Sequence, residues 1–166
     1  MPQTTTPGHA FPPAAAGLRV RRAVAADLGR LVQLENDTFQ SDRLSERQWA
    51  HHLGNERAEI LVAVDGDRLV GALVLFLRCG SDIARLYSLA IDAAARGRGI
   101  GSLLLSAGER AARRRGCLRL RLEVRRDNRA ARRLYEGREY RIIGERVAYY
   151  ADGEDAVRYE KTLGAA

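Results

Sequence analysis

The chain has 166 residues, 46% hydrophobic and 30% charged, with a formal net charge of +7. That length supports one domain with a core of its own, and the composition excludes disordered and fibrous classes. No apolar run reaches the roughly 18 residues that a membrane-spanning helix needs, so no membrane association is expected.

Met1 to Gly17 holds Pro, Thr and Ala without a basic start and an apolar stretch, so it reads as a flexible leader rather than a signal peptide; the domain is expected over 18–166. Residues 18–24 alternate and predict a first strand. Asp27 is the expected N-cap of a helix reaching Phe39, with Leu28, Leu31, Val32 and Leu34 as its apolar stripe. Ser45 with Glu46 opens a second helix carrying Trp49 and Leu53. Residues 60–64 and 68–77, joined by Asp65-Gly66-Asp67, predict a hairpin, and 83–91 a further strand.

After the glycine cluster at 97–101, a helix places Ile100, Leu103, Leu104, Ala107 and Ala111 on one face and stops near Gly116. In the next strand Leu118, Leu120, Leu122 and Val124 point one way, and Arg119, Arg121, Glu123 and Arg125 the other. A short helix follows from Asn128 to Glu136. Two closing strands are expected at 140–150 and 156–163, around Asp152-Gly153. The order β-α-α-β-β-β-α-β-α-β-β is that of an α/β domain with a mixed sheet.

Nearly all the positive charge is arginine, Lys161 being the single lysine. Genome composition gives such a bias, and so does an anionic partner, either nucleic acid or a phosphate-bearing cofactor. The arginines are scattered without interleaved aromatics, which disfavours nucleic acid. Cys79 and Cys117 lack metal-ligand spacing and read as small buried hydrophobes in a reducing cytoplasm. His51 and His52 are adjacent on a helix, point apart and read as solvated residues, not a metal pair.

Arg96-Gly97-Arg98-Gly99-Ile100-Gly101-Ser102 sits between a strand and an amphipathic helix. Close glycines let the backbone approach a bulky anion, and a helix start offers unpaired N–H groups and a positive dipole end. The segment therefore reads as a pyrophosphate cradle. It lacks the Gly-Lys-Ser/Thr ending of a P-loop. A dinucleotide fingerprint needs a third glycine where Ser102 stands, and no second βαβ unit follows.

Leu89-Ala90-Ile91 followed by this cluster resembles the acyl-CoA-binding motif of GNAT acetyltransferases. Leu122-Glu123-Val124-Arg125, Asn128 and Leu134-Tyr135-Glu136 resemble the next strand and helix of that superfamily. The likeness is closest to protein N-terminal acetyltransferases, both the bacterial ribosomal-protein alanine type and the archaeal and eukaryotic type. For the latter it extends to the segment from Tyr149 to Ala156. It is strong over 83–163, and the first 80 residues agree only in their order of elements. The resemblance implies a GNAT-type fold: a mixed, mostly antiparallel sheet of about seven strands, splayed in the middle and flanked by about four helices. It also implies acetyl-CoA as cosubstrate, an amine acceptor such as a protein N-terminus, no metal, and a monomer or homodimer.

Carried onto this chain, the resemblance gives the pantetheine to the backbone of Leu89, Ala90 and Ile91. The pyrophosphate falls to Gly97, Arg98, Gly99, Ile100, Gly101 and Ser102, with charge from Arg96 and Arg98. Asn128 would contact CoA, seven residues and about two turns before Tyr135. Tyr135, with a reference pKa of about 10 against about 8.5 for a thiol, can donate a proton to the departing thiolate. A packing role in the core is its other reading. Glu123 matches the glutamate base of the ribosomal-protein acetyltransferases, or else partners nearby arginines across the sheet.

An α-amine is roughly 14% neutral at pH 7 and a lysine amine roughly 0.04%, so an N-terminal acceptor needs only a weak base. Tyr87, Tyr149 and Tyr150 line the peptide cleft or pack the strands. Glu35, Asp42 and Arg43 fall where the family's first helices approach the acceptor. Relatives usually carry glycine where Glu139 stands, so this position departs from the pattern. A small-amine acetyltransferase, an acyl-CoA sensor without turnover and an arginine-rich nucleic-acid module remain as alternatives.

Overall fold

A computed structural model describes residues 17–164 of the chain. Apart from Gly17, the expected leader lies outside the described residues. The strands are β1 (Leu18–Arg22), β2 (Ala58–Asp65), β3 (Arg68–Leu77), β4 (Ile83–Ile91), β5 (Arg119–Arg125), β6 (Arg141–Arg146) and β7 (Ala156–Thr162). The helices are α1 (Leu28–Thr38), α2 (Glu46–Leu53), α3 (Ile100–Arg114) and α4 (Arg129–Glu136), with 3-10 turns at Ala25–Asp27 and Ala93–Ala95. The seven strands form one sheet in the order β1-β2-β3-β4-β5-β7-β6, in which β4 and β5 are the parallel pair. This is the mixed, mostly antiparallel α/β architecture expected from the sequence.

Apolar side chains on both faces of β2 and β3 build two cores. On one face Leu73, Leu75, Leu120 and Leu122 pack with Leu104 and Leu105 of α3. On the other, Val62 and Val74 pack with Leu31 of α1 and Trp49 of α2. Residues of β5, β6 and β7 are missing from that second core, so α1 and α2 cover only the first half of the sheet. The corresponding face of β5 and β7 carries Arg121, Glu123, Arg158 and Glu160, half-buried and outside the core beneath α1 and α2.

Two irregularities in β4 make room for a ligand. Val74 pairs with Ser88 and Leu75 with Leu86, so Tyr87 is an extra residue, a bulge that bends the strand and inverts the faces beyond it. Ala84 and Leu86 face α3 before the bulge; Leu89 and Ile91 face it after. The parallel pairing with β5 ends at Leu86 and Leu122, while Ser88 to Ile91 stay paired only with β3. The sheet splays there as expected, and one edge of β4 is left with unpaired backbone groups.

Five sequence expectations change. Asp27 does not cap α1: its carboxylate binds Arg21 at 2.7 and 2.9 Å and accepts the Val24 N–H, because a 3-10 turn precedes the helix. Leu118 precedes β5 and is 45% exposed, lying beyond the α3 contact that buries Leu120, Leu122 and Val124. β6 ends at Arg146, where Ala148 (φ 49) turns the chain out of the sheet. Cys79 is exposed in the β3–β4 turn, whereas Cys117 is buried. His52 is half-buried against Phe76, ring centroids 4.7 Å apart, rather than solvated.

Candidate acyl-transfer site

The glycine cluster forms the entry to α3. Gly97 (φ 77) and Gly99 (φ 75) are left-handed, a conformation that strains any residue with a Cβ. Among the described residues, the backbone N–H groups from Gly97 to Ser102 find no carbonyl acceptor; the first intrahelical donor is Leu103, bonded to Gly99. Six consecutive donors at the positive end of a 15-residue helix make a strong site for an anion. Gly101 serves packing instead, since a Cβ there would lie 3.1 Å from the Leu134 side chain of α4. Arg96 stays exposed beside the turn, but Arg98 is tied to Asp65 at 2.8 Å, away from the role expected of it. The splayed Leu89, Ala90 and Ile91 end just before this turn.

Asn128 caps α4, its Oδ1 accepting the Ala131 N–H at 3.0 Å, which leaves only the amide NH2 for a ligand. Tyr135 is buried among Tyr140 and Tyr159, with centroids at 5.6 and 6.1 Å. Burial raises its pKa well above the ordinary tyrosine range, and Tyr150 adds to the rise, so the hydroxyl keeps its proton at neutral pH. The helix ends in a Schellman motif. Tyr140 N–H donates to the Tyr135 carbonyl at 3.0 Å and Glu139 N–H to that of Glu136 at 3.2 Å. Glu139 (φ 67) occupies the left-handed position where glycine is usual. The two bonds hold Tyr135 in place all the same.

Glu123, centred on β5, has an 11% exposed side chain within reach of three guanidiniums: Arg85 at 3.1 Å, Arg158 at 3.6 Å and Arg146 at 3.8 Å. Arg85 also donates to the Tyr149 hydroxyl at 2.7 Å and lies over the Tyr87 ring at 5.8 Å, so it draws β4, β5 and the β6–β7 loop together. Tyr87 and Tyr149 are partly open to solvent. Tyr150 is half-buried against Arg125, its pKa pushed up to about 12 by burial and then by Tyr149.

Glu35 is buried and accepts the Leu44 N–H at 2.8 Å, so it fastens the α1–α2 loop; burial raises its pKa. Asp42 is near enough to act on Tyr87 and Tyr150, while Arg43 binds back to Asn36 of α1 and to the Gln40 carbonyl of its own loop. The sequence allowed Glu123 to partner arginines across the sheet, but not which ones; the structure brings Arg85, Arg146 and Arg158 to it. Among the described residues there is no cluster of three His, Cys, Asp or Glu side chains able to hold a metal.

A mixed sheet that parts between its parallel strands, above a helix start with free N–H groups, is the framework of an acyltransferase. The chain belongs to the acetyltransferase (GNAT) family, whose model matches residues 28–140. It is 34% identical over 105 residues to N-alpha-acetyltransferase 30 of Schizosaccharomyces pombe, covering 59% of this chain and 67% of that one. Over 139 residues it is 29% identical to a Bacillus subtilis protein described as a putative [ribosomal protein bS18]-alanine N-acetyltransferase, covering 83% and 91%. The crystal structure of the ribosomal-protein-S18-alanine N-acetyltransferase from Escherichia coli superposes with a TM-score of 0.80 at 26% identity, covering 90% of this chain and 96% of that one. The protein is an acyltransferase.

Proposed function

We propose that the protein transfers the acetyl group of acetyl-CoA directly to the N-terminal α-amine of a protein or peptide. The observation that carries this reading is the run of six unpaired N–H groups from Gly97 to Ser102 beside the splayed edge of β4. The pyrophosphate charge suits the donors at α3, and an extended pantetheine suits the free backbone of Tyr87 to Ile91. The Schizosaccharomyces pombe relative is described as an N-alpha-acetyltransferase and the Bacillus subtilis one as a putative [ribosomal protein bS18]-alanine N-acetyltransferase, which supports the α-amine. So does the face of β5 and β7 that lies outside the core beneath α1 and α2, which leaves room for a chain-like acceptor. The free thiols of Cys79 and Cys117 agree with work in the cytoplasm.

In this reading the neutral amine attacks the thioester carbonyl, the C–N bond forms and the C–S bond breaks. Tyr135 supplies the proton that the thiolate takes and recovers one from solvent as the product leaves. Water accepts the proton that the amine loses, since an α-amine is already roughly 14% neutral at pH 7. Glu123 is shared among Arg85, Arg158 and Arg146, and its work is to position them. Calorimetric titration with acetyl-CoA, followed by thiol release with a peptide panel, tests the proposal. Micromolar binding with release on peptides is expected; absence of acetyl-CoA binding would overturn it.

A further inference from the structure

On the basis of that reading, we infer that the preferred acceptor carries a carboxylate side chain within a few residues of its reacting amine, held by Arg85 and Arg146. The inference comes from the charge balance on the face of the sheet that carries Glu123. Arg119 has Asp82 at 2.9 Å and Glu160 at 3.9 Å, and Arg121 also binds Glu160. Arg125 has both Asp127 at 3.2 Å and Asp152 at 2.8 Å. Arg85, Arg146 and Arg158 instead share the single carboxylate of Glu123, so two positive charges remain unmatched there.

The surplus is accessible. The side chains of Arg85 and Arg146 are 45% and 51% exposed, while Arg158 and Glu123 sit deeper at 28% and 11%. Tyr149 lies between the two open guanidiniums: it accepts a hydrogen bond from Arg85 and has Arg146 5.8 Å above its ring. Two fixed guanidiniums either side of an aromatic form a clamp for a planar carboxylate. The cofactor phosphates are not the missing anion. Ala84 and Leu86 point toward α3, and Arg85 points to the opposite face. Of the acidic groups close enough to act on Tyr87, Asp42 is exposed and Glu35 is buried and bonded to Leu44. Asp42 suits the cationic amine end of the same acceptor.

The test is thiol release from acetyl-CoA with peptides that share one N-terminal residue and differ only by glutamate, glutamine or lysine at the second or third position. Free amino acids, whose only carboxylate is the α-carboxylate, form a separate arm. The glutamate peptides should exceed the glutamine peptides in kcat/KM by about two- to fivefold, through KM, with a gap that narrows in salt, as a partly exposed charge pair predicts. Lysine peptides should be poorest. In Arg146→Glu the order should reverse. The ratio between peptides within one variant is the readout, so a general loss of activity does not disturb it.

Equal rates for the three peptides, or an order unchanged in Arg146→Glu, would overturn the inference while leaving N-terminal acetylation standing. Free amino acids outperforming every peptide would overturn it in favour of a small acceptor. Acetylation of no peptide at all would remove both this inference and the reading beneath it.

Discussion

Replacing Glu139 with glycine should stabilise the protein. Glu139 holds φ 67 at the left-handed position of the Schellman motif that ends α4. Left-handed backbone costs a residue with a Cβ about 1–2 kcal/mol. Glycine avoids that strain but loses about 0.5–1 kcal/mol more conformational freedom on folding. The side chain of Glu139 is exposed and takes part in none of the ion pairs among the described residues, so its removal forfeits no contact. The net gain is about 0.5–1 kcal/mol, which for a chain of this size raises Tm by about 1–4 °C. Differential scanning calorimetry of Glu139→Gly against wild type measures it. Acetyl transfer should stay within about twofold of wild type, because the bonds from Tyr140 and Glu139 that fix Tyr135 are backbone bonds. An unchanged or lower Tm would refute the claim that strain is stored at this position.

Three further outcomes follow from the site and its supports. Tyr135→Phe should lower kcat by about a hundredfold with little change in the KM for acetyl-CoA, as removal of a general acid does; wild-type kcat in steady-state thiol release would return Tyr135 to a packing role. Glu123→Gln should raise the acceptor KM at every pH, because three guanidiniums lose their anchor; a defect confined to low pH would identify Glu123 as the base instead. Asp27 has a pKa held below the ordinary carboxylate value, first by the Arg21 hydrogen bond and against the pull of burial. Its stabilisation is therefore complete above the unfolded value of about 3.9 and is lost as pH falls through the lower folded value. Asp27→Asn should be less stable near neutrality and show a shallower acid limb, followed by fluorescence of the buried Trp49; an unaltered acid limb would remove Asp27 from the pH response.

The sequence by itself determined the elements and the class of chemistry. Alternation in 119–125, helical spacing from Ile100 onward and the glycines at 97 and 99 are local signals, because strand period, helix period and left-handed turns are set by neighbouring residues. The departure at Glu139 was legible for the same reason: the left-handed position belongs to the local geometry of the helix end. Other features depended on residues distant in the chain. The Tyr87 bulge exists only in the register between β3 and β4, and nothing in residues 83–91 alone reveals which strand residue goes unpaired. Asp27 and Arg98 looked available in sequence and are taken by Arg21 and Asp65, partners that only the folded chain brings near. The gathering of Arg85, Arg146 and Arg158 around Glu123 required β4, β5, β6 and β7 to lie side by side. Charge pairing acts through space over a few ångströms, so which arginines were left with an unmatched charge was decided by the tertiary structure alone.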